Sequence, residues 1–167
     1  MSGILLTGWL TCLRGSSRSG GAPSNVTATV IDELLSQSIL QKHIRDVLVP
    51  AYAKRYYSMM AAVKEYLEPL GVSTSSHSEL AGGYFIWIEL PSPLRAEVIA
   101  QRTLQEENVR VGEGQLFQVQ GDPAQGAETF ERNIRLSFAW DEVDKLPVGV
   151  RKLADVIERR WRIEVCK

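Results

Sequence analysis

The stretch Ala81-Gly-Gly-Tyr-Phe-Ile-Trp-Ile-Glu-Leu90 decides how the rest of the chain is read. Its glycine pair allows positive φ or a close backbone approach, and the seven residues after it are rich in aromatic and β-branched side chains, the composition of a strand. Alternation turns Phe85, Trp87 and Glu89 to one side and Tyr84, Ile86, Ile88 and Leu90 to the other. Both sides are largely apolar, so the strand is expected inside a sheet with helices over both faces. Pro91 and Pro93 end it.

Downstream, Leu94, Val98 and Leu104 predict a helix over about 93–107, and the alternation of Asn108-Val-Arg-Val111 predicts a strand, giving a strand–helix–strand unit. Gly112-Glu113-Gly114 marks a turn, and Gly121-Asp122-Pro123 with Gly126 a surface loop. Asn133 to Ala139 reads as the last strand, with Ile134, Leu136 and Phe138 on an apolar face and Asn133, Arg135 and Ser137 on a polar one. The closing helix carries Leu146, Val150, Leu153, Ile157 and Trp161 at helical spacing. Asp144 can cap it, which puts Pro147 at the third position, where its missing amide donor costs nothing.

Upstream, Val72 to Ser78 predicts a short polar strand forming a hairpin or meander with the central one. Pro69 and Gly71 stop a long helical region before it. In that region Leu40, Ile44, Val47 and Leu48 form a stripe that Tyr52, Tyr56, Met59, Val63 and Leu67 continue beyond Pro50. Proline predicts either a kink or two helices, about 38–49 and 51–68. Before them, Ser24 or Asn25 can cap a helix bearing Val26, Val30, Leu34 and Leu35, and the Gly- and Ser-rich residues 1–23 read as irregular. The fold class is therefore α/β of the α+β kind: a short mixed sheet of three to four strands covered by helices, with an N-terminal helical extension over residues 1–37 and the domain proper over 38–167.

With 167 residues and 44% hydrophobic content, the chain is long enough for one sizeable core. Its 19 basic and 20 acidic side chains leave no field to gather nucleic acid or an anionic membrane, so neither is expected as a partner. The run Ile4 to Leu13 is too short to span a bilayer. Cys12 and Cys166 lack the close Cys or His neighbours of a zinc site and read as reduced thiols of an intracellular protein, so no metal is expected. His43 reads as a helix-face and His77 as a loop histidine. A cytoplasmic compartment follows, although the absence of any acid before Asp32, together with Arg14 and Arg18, leaves a mitochondrial one open.

Three features bear on chemistry. Arg135 stands on a polar strand face beside Ser137, where a guanidinium held by a rigid strand can grip a carboxylate through two parallel hydrogen bonds. Pattern alone favours the plainer reading, an exposed arginine on an edge strand. The Gly82-Gly83 pair can let a substrate pass near the backbone, against the plainer reading of a turn. Arg18-Ser-Gly-Gly-Ala-Pro-Ser-Asn25 opens a helix and can bind an anion there, but lacks the P-loop lysine and the dinucleotide glycine spacing. No nucleophile–base constellation is evident.

Taken in order, Gly82-Gly-Tyr-Phe-Ile-Trp-Ile-Glu-Leu-Pro91, Asn108-Val-Arg-Val-Gly-Glu-Gly-Gln-Leu-Phe117 and Asn133-Ile-Arg-Leu-Ser-Phe-Ala139 before an amphipathic helix resemble the C-terminal part of class I/II aminotransferases, enzymes of fold type I dependent on pyridoxal 5'-phosphate. Gly8-Trp9 and Ser19-Gly-Gly-Ala-Pro-Ser-Asn25 with its helix are similar to what the branch acting on 2-aminoadipate and aromatic amino acids carries just before its small domain. The resemblance implies that residues 1–37 are the remnant of the large-domain and interface segment and 38–167 the small domain. It implies transfer of an amino group between an amino acid and a 2-oxo acid, and a homodimer for the complete enzyme. Substrate-binding residues Arg135, Gly83 and Tyr84 follow, with Arg135 holding the α-carboxylate and lifted from the edge-strand reading. The chain departs from the family in two respects: the large cofactor-binding domain expected upstream is missing, and the anchoring residues have no counterpart. Met1-Ser-Gly-Ile-Leu-Leu-Thr-Gly-Trp9 holds neither the pyridoxal-binding lysine nor the phosphate-binding arginine, and Lys42, Lys54, Lys64, Lys145, Lys152 and Lys167 lie on predicted helices or at the C-terminus. A Schiff base needs a placed amine, so the chain alone is expected to be an incomplete enzyme. The alternative is a non-catalytic interaction or dimerisation domain derived from an aminotransferase.

Overall fold

The computed structural model describes residues 24–74, 83–118 and 130–165, and the chain divides into two compact units at Leu48 and Val49. The first unit is helical. Helix α1 (Asn25–Ser36) starts at Ser24, whose hydroxyl accepts a 3.5 Å hydrogen bond from the Thr27 amide, the N-cap that the sequence offered. Ser38 takes a left-handed backbone, and α2 (Ile39–His43) follows and passes into a π turn, Ile44–Leu48. The apolar stripe of this unit is exposed at Val26, Val30, Ile31, Leu35, Ile39, Ile44 and Val47.

The second unit opens with α3 (Val49–Ala62), in which Pro50 is the second residue. The missing proline donor therefore falls just after a π turn, where the α ladder is already interrupted. Helix α3 ends in a second π turn, Val63–Leu67, and a 3₁₀ turn, Glu68–Leu70, closed by Gly71 at φ 80°. Four strands then form one sheet in the order β1 (Ser73–Thr74), β2 (Phe85–Glu89), β4 (Asn133–Ser137), β3 (Gly112–Glu113). Helix α4 (Ala96–Glu107) links β2 to β3, and α5 (Lys145–Val165) closes the chain with Pro147 at its third position.

The four-stranded sheet with a helical cover is the architecture expected, but its pairings are all antiparallel rather than mixed. Strands β2 and β3 run parallel to each other, but β4 lies between them and opposes both. Strand β4 is thus an inner strand, and the edge-strand reading of Arg135 is overturned. The strand expected at 108–111 begins only at Gly112. Asn108 caps α4 with φ 53°, a left-handed conformation that asparagine tolerates, and Val109 donates back to the Thr103 carbonyl, so both residues belong to the helix end. The polar strand expected over 72–78 is described only as Ser73–Thr74, and the remainder lies outside the described residues, as do the loop around 121–126, His77 and both cysteines.

Among the described residues of this unit, helices cover one face of the sheet rather than the two expected. Ile86, Ile88, Leu90, Ile134, Leu136 and Phe138 are buried in one cluster with Met59, Val63 and Leu67, with Ile99, and with Leu146, Val150, Leu153 and Ile157. Truncating one of these large side chains to alanine is expected to cost about 2–5 kcal/mol. On the other face Phe85 is 45% exposed and Trp87 half-buried. The cover there is aromatic: Trp87 meets Phe117 and Phe130 edge-on, at 5.8 and 5.6 Å between ring centres. Both come from 3₁₀ turns, Gly114–Phe117 and Phe130–Arg132.

Those turns meet at Gly114. A Cβ there would lie 2.5 Å from the Phe130 carbonyl oxygen and 2.8 Å from that of Asn133, backbone atoms that cannot move without disturbing β4. Gly114→Ala is therefore expected to destabilise the second unit by about 1–3 kcal/mol, the scale of other overpacked sites. Urea unfolding followed by tryptophan fluorescence measures it, and an unchanged midpoint would show that the two turns do not touch as described.

Candidate functional site

The antiparallel register pairs Trp87 with Arg135 and Phe85 with Ser137, so Phe85, Trp87, Arg135 and Ser137 share the face that helices leave open. On the other side of β4, Gly112 is paired with Arg135. The guanidinium carbon of Arg135 sits 3.9 Å from the Phe85 ring centre and 3.7 Å from that of Phe117, stacking distances for a planar cation on an aromatic ring. Arg135 is half-buried, and among the described residues no carboxylate pairs with it. Its neighbour Arg132 is paired with Glu89 instead. A planar cation flanked by rings keeps its N–H groups at the edge, where a carboxylate oxygen pair fits.

The other two predicted substrate residues lie just before β2, the strand paired with β4. Gly83 has φ 76°, a conformation that favours glycine, and the space where a side chain would stand is open. Tyr84 accepts a 3.2 Å hydrogen bond from the Phe138 amide through its carbonyl, and its ring packs on Tyr52 of α3 at 4.8 Å. By alternation, Tyr84 therefore faces the helices and Arg135 the opposite side; the fold brings their backbones onto one sheet and keeps their side chains on different faces. Phe85, Phe117 and Gly112 were not among the predicted site residues. The signal for Phe85 was present in the alternation that set it beside Trp87, whereas nothing local announces that Phe117 folds back over β4.

The chain leaving β4 is held by α3. Arg55 donates to the Ala139 carbonyl at 3.5 Å and to that of Asp141, and Ser58 donates to the Val143 carbonyl at 3.3 Å. A cavity of about 80 Å³ beside this segment is lined by Met59, Leu136, Leu146 and Leu153 together with Arg110, Asp141 and Lys145, and Arg135 is not part of its lining. No three His, Cys, Asp or Glu side chains cluster among the described residues.

Every described lysine is on a helical segment. Lys42, Lys54 and Lys64 are exposed, and Lys152 donates to the Glu107 carbonyl at 3.0 Å. Lys145 lies 3.0 Å from Glu142, and its hydrogen bond to that carboxylate, with the adjacent negative charge, holds its pKa above the ordinary lysine value. Raising that pKa keeps the amine protonated, the opposite of what a Schiff-base nucleophile needs. The phosphate-binding and glycine-loop readings on residues 1–23 lie outside the described residues.

No protein-family profile matches the chain. It is 32% identical over 139 residues to the uncharacterized protein YER152C of Saccharomyces cerevisiae, covering 81% of this chain and 29% of that protein. It is 36% identical over 77 residues to the 2-aminoadipate transaminase of Thermus thermophilus, covering 46% and 17%. In structure it matches the Pyrococcus horikoshii kynurenine aminotransferase solved in complex with PMP, with a TM-score of 0.63 and 26% identity over 76% of this chain and 28% of that one. The chain spans less than a third of the curated relatives it matches.

The placement of the lysines makes one expectation concrete. After incubation with pyridoxal phosphate and borohydride reduction, peptide mass spectrometry of this chain should find adducts scattered at low occupancy over exposed lysines. One stoichiometric adduct at a single lysine would mean that an amine is placed for the Schiff base after all.

Proposed function

Because the chain shares sequence and fold with part of the pyridoxal-phosphate-dependent aminotransferases, we propose that it forms the C-terminal segment of such an enzyme and supplies the substrate-carboxylate side of its site. The reaction is transfer of an amino group between an amino acid and a 2-oxo acid, in a complete enzyme that is a homodimer. Pyridoxal phosphate supplies the electron sink for that chemistry when bound, and its anchoring lysine belongs to the part of the enzyme that these residues do not provide. The observation that carries the reading is Arg135: half-buried, stacked between rings, on an inner strand, and with no carboxylate partner among the described residues. An arginine so placed offers a rigid fork to a planar anion. Gly83 and Tyr84, at the start of the neighbouring strand, are proposed as its companions along the bound substrate, Gly83 through the backbone conformation that it alone accepts cheaply.

A second reading has its own support. Val26 is 75% and Val30 54% exposed, and the apolar stripe continues through Ile31, Leu35, Ile39, Ile44 and Val47. Such a surface suits an interaction or dimerisation domain that has kept an aminotransferase fold.

Two measurements separate the readings. In a chimera in which residues 24–167 replace the matching part of the Thermus thermophilus 2-aminoadipate transaminase, Arg135→Lys should cost about 2–4 kcal/mol in kcat/KM, because the charge stays and the bidentate fork is lost. The preference for an amino acid over the amine lacking its carboxylate should collapse with it; a preference that survives the substitution would refute the role of Arg135. For the exposed stripe, light scattering of the chain at rising concentration should show self-association, and Val30→Glu with Leu35→Glu should reduce it. A monodisperse monomer at high concentration would remove the support for the interaction reading.

A further inference from the structure

Among the described residues most arginines are committed to acids, for example Arg132 to Glu89, Arg159 to Glu106 and Glu107 at 3.1 and 2.9 Å, and Arg102 to Glu106 at 3.4 Å. Arg135 is committed to rings. Strands β2 and β3 flank β4 on opposite sides, and Phe85 arrives from β2 while Phe117 arrives from the turn after β3. The two rings therefore reach the guanidinium from opposite sides, at 3.9 and 3.7 Å from its carbon. The arrangement is braced. Trp87, directly across from Arg135, meets the Phe117 ring at 69°, and Phe130 meets Trp87 at 90°. Clearance comes from Gly112, the other residue paired with Arg135: a Cβ there would lie 3.3 Å from two atoms of the Phe117 ring and 3.6 Å from the Arg135 Cβ, so a larger residue would push the ring away.

We propose that Phe85 and Phe117 are positioning residues that fix the plane of the Arg135 guanidinium, so that its edge alone is open and the anion it takes is a planar carboxylate lying in that plane. This rests on the reading of Arg135 as the carboxylate holder. An arginine side chain free in water samples many rotamers and is hydrated on both faces; stacking removes that water and that freedom before the ligand arrives. The rings touch no part of the ligand in this scheme and act only through Arg135.

The test uses the ¹⁵N-labelled chain and pyruvate as the probe. In the unsubstituted chain the Arg135 Nε–Hε resonance should carry a ring-current shift and move on titration with pyruvate. Phe117→Leu should return the resonance towards that of free arginine and weaken pyruvate binding roughly fivefold, the scale of one lost cation–π contact. Phe117→Tyr, which keeps the ring, should restore both. Phe85 is 45% exposed, so Phe85→Leu removes the second ring with little demand on folding and should act in the same direction. If both leucine variants leave the resonance where it was, or move it while pyruvate affinity is retained, the positioning role is overturned with carboxylate binding intact. If pyruvate moves no Arg135 signal even in the unsubstituted chain, the carboxylate reading of Arg135 falls and the positioning role with it.

Discussion

Five residue pairs between β2 and β4, from Phe85 with Ser137 to Glu89 with Asn133, hold the second unit together. Their register decides the face of every side chain that matters here. Ile86 and Ile88 must meet Leu136 and Ile134 on the helix side, because a slip of β4 by one residue would turn Ile134 and Leu136 out to water and bring Arg135 into the core. Burial of one face thereby specifies the other. With the aliphatic side chains sealed under α3, α4 and α5, Phe85, Trp87 and Arg135 can only stand together on the open face.

That face is assembled from pieces far apart in sequence. Phe85 comes from the central strand, Phe117 from a 3₁₀ turn, and Arg135 from the last strand. Two glycines permit the assembly for different reasons. At Gly114 the obstacle is the backbone of Phe130 and Asn133, so the residue sets whether the turns pack at all. At Gly112 the obstacle is an aromatic ring, so the residue sets where that ring rests. The first is a condition of folding, and the second shapes the environment of one guanidinium.

The helical first unit stands in contrast. Among its described residues Ser24 alone caps a helix through its side chain, none is buried, and most apolar side chains are turned to the surface. Such helices draw little stability from propensity alone, since most helical stability in proteins comes from packing of the apolar face. The second unit has that packing: the α5 stripe of Leu146, Val150, Leu153 and Ile157 is buried almost completely. The difference in burial, rather than any difference in helix-forming composition, separates the two units.

Local periodicity was enough to determine the two long strands, their faces and the closing helix, because each is written in a run of side chains alternating by two or recurring by three and four. The same run identified Arg135 as a polar residue on a strand with one apolar face. It did not determine which strands are neighbours. Arg135 is on an inner strand because β3 adds to the far edge of β4, and β3 starts at Gly112 because Asn108 ends α4 in a left-handed turn that alternation at 108–111 does not reveal. Nor did it show that the described helices of this unit pack on one face, or that Phe117 returns across Gly112 to stack on Arg135. Strand order, cover and ring placement depend on contacts between residues tens of positions apart, whose energies appear only when the chain is folded; period-two and period-3.6 patterns carry no record of them.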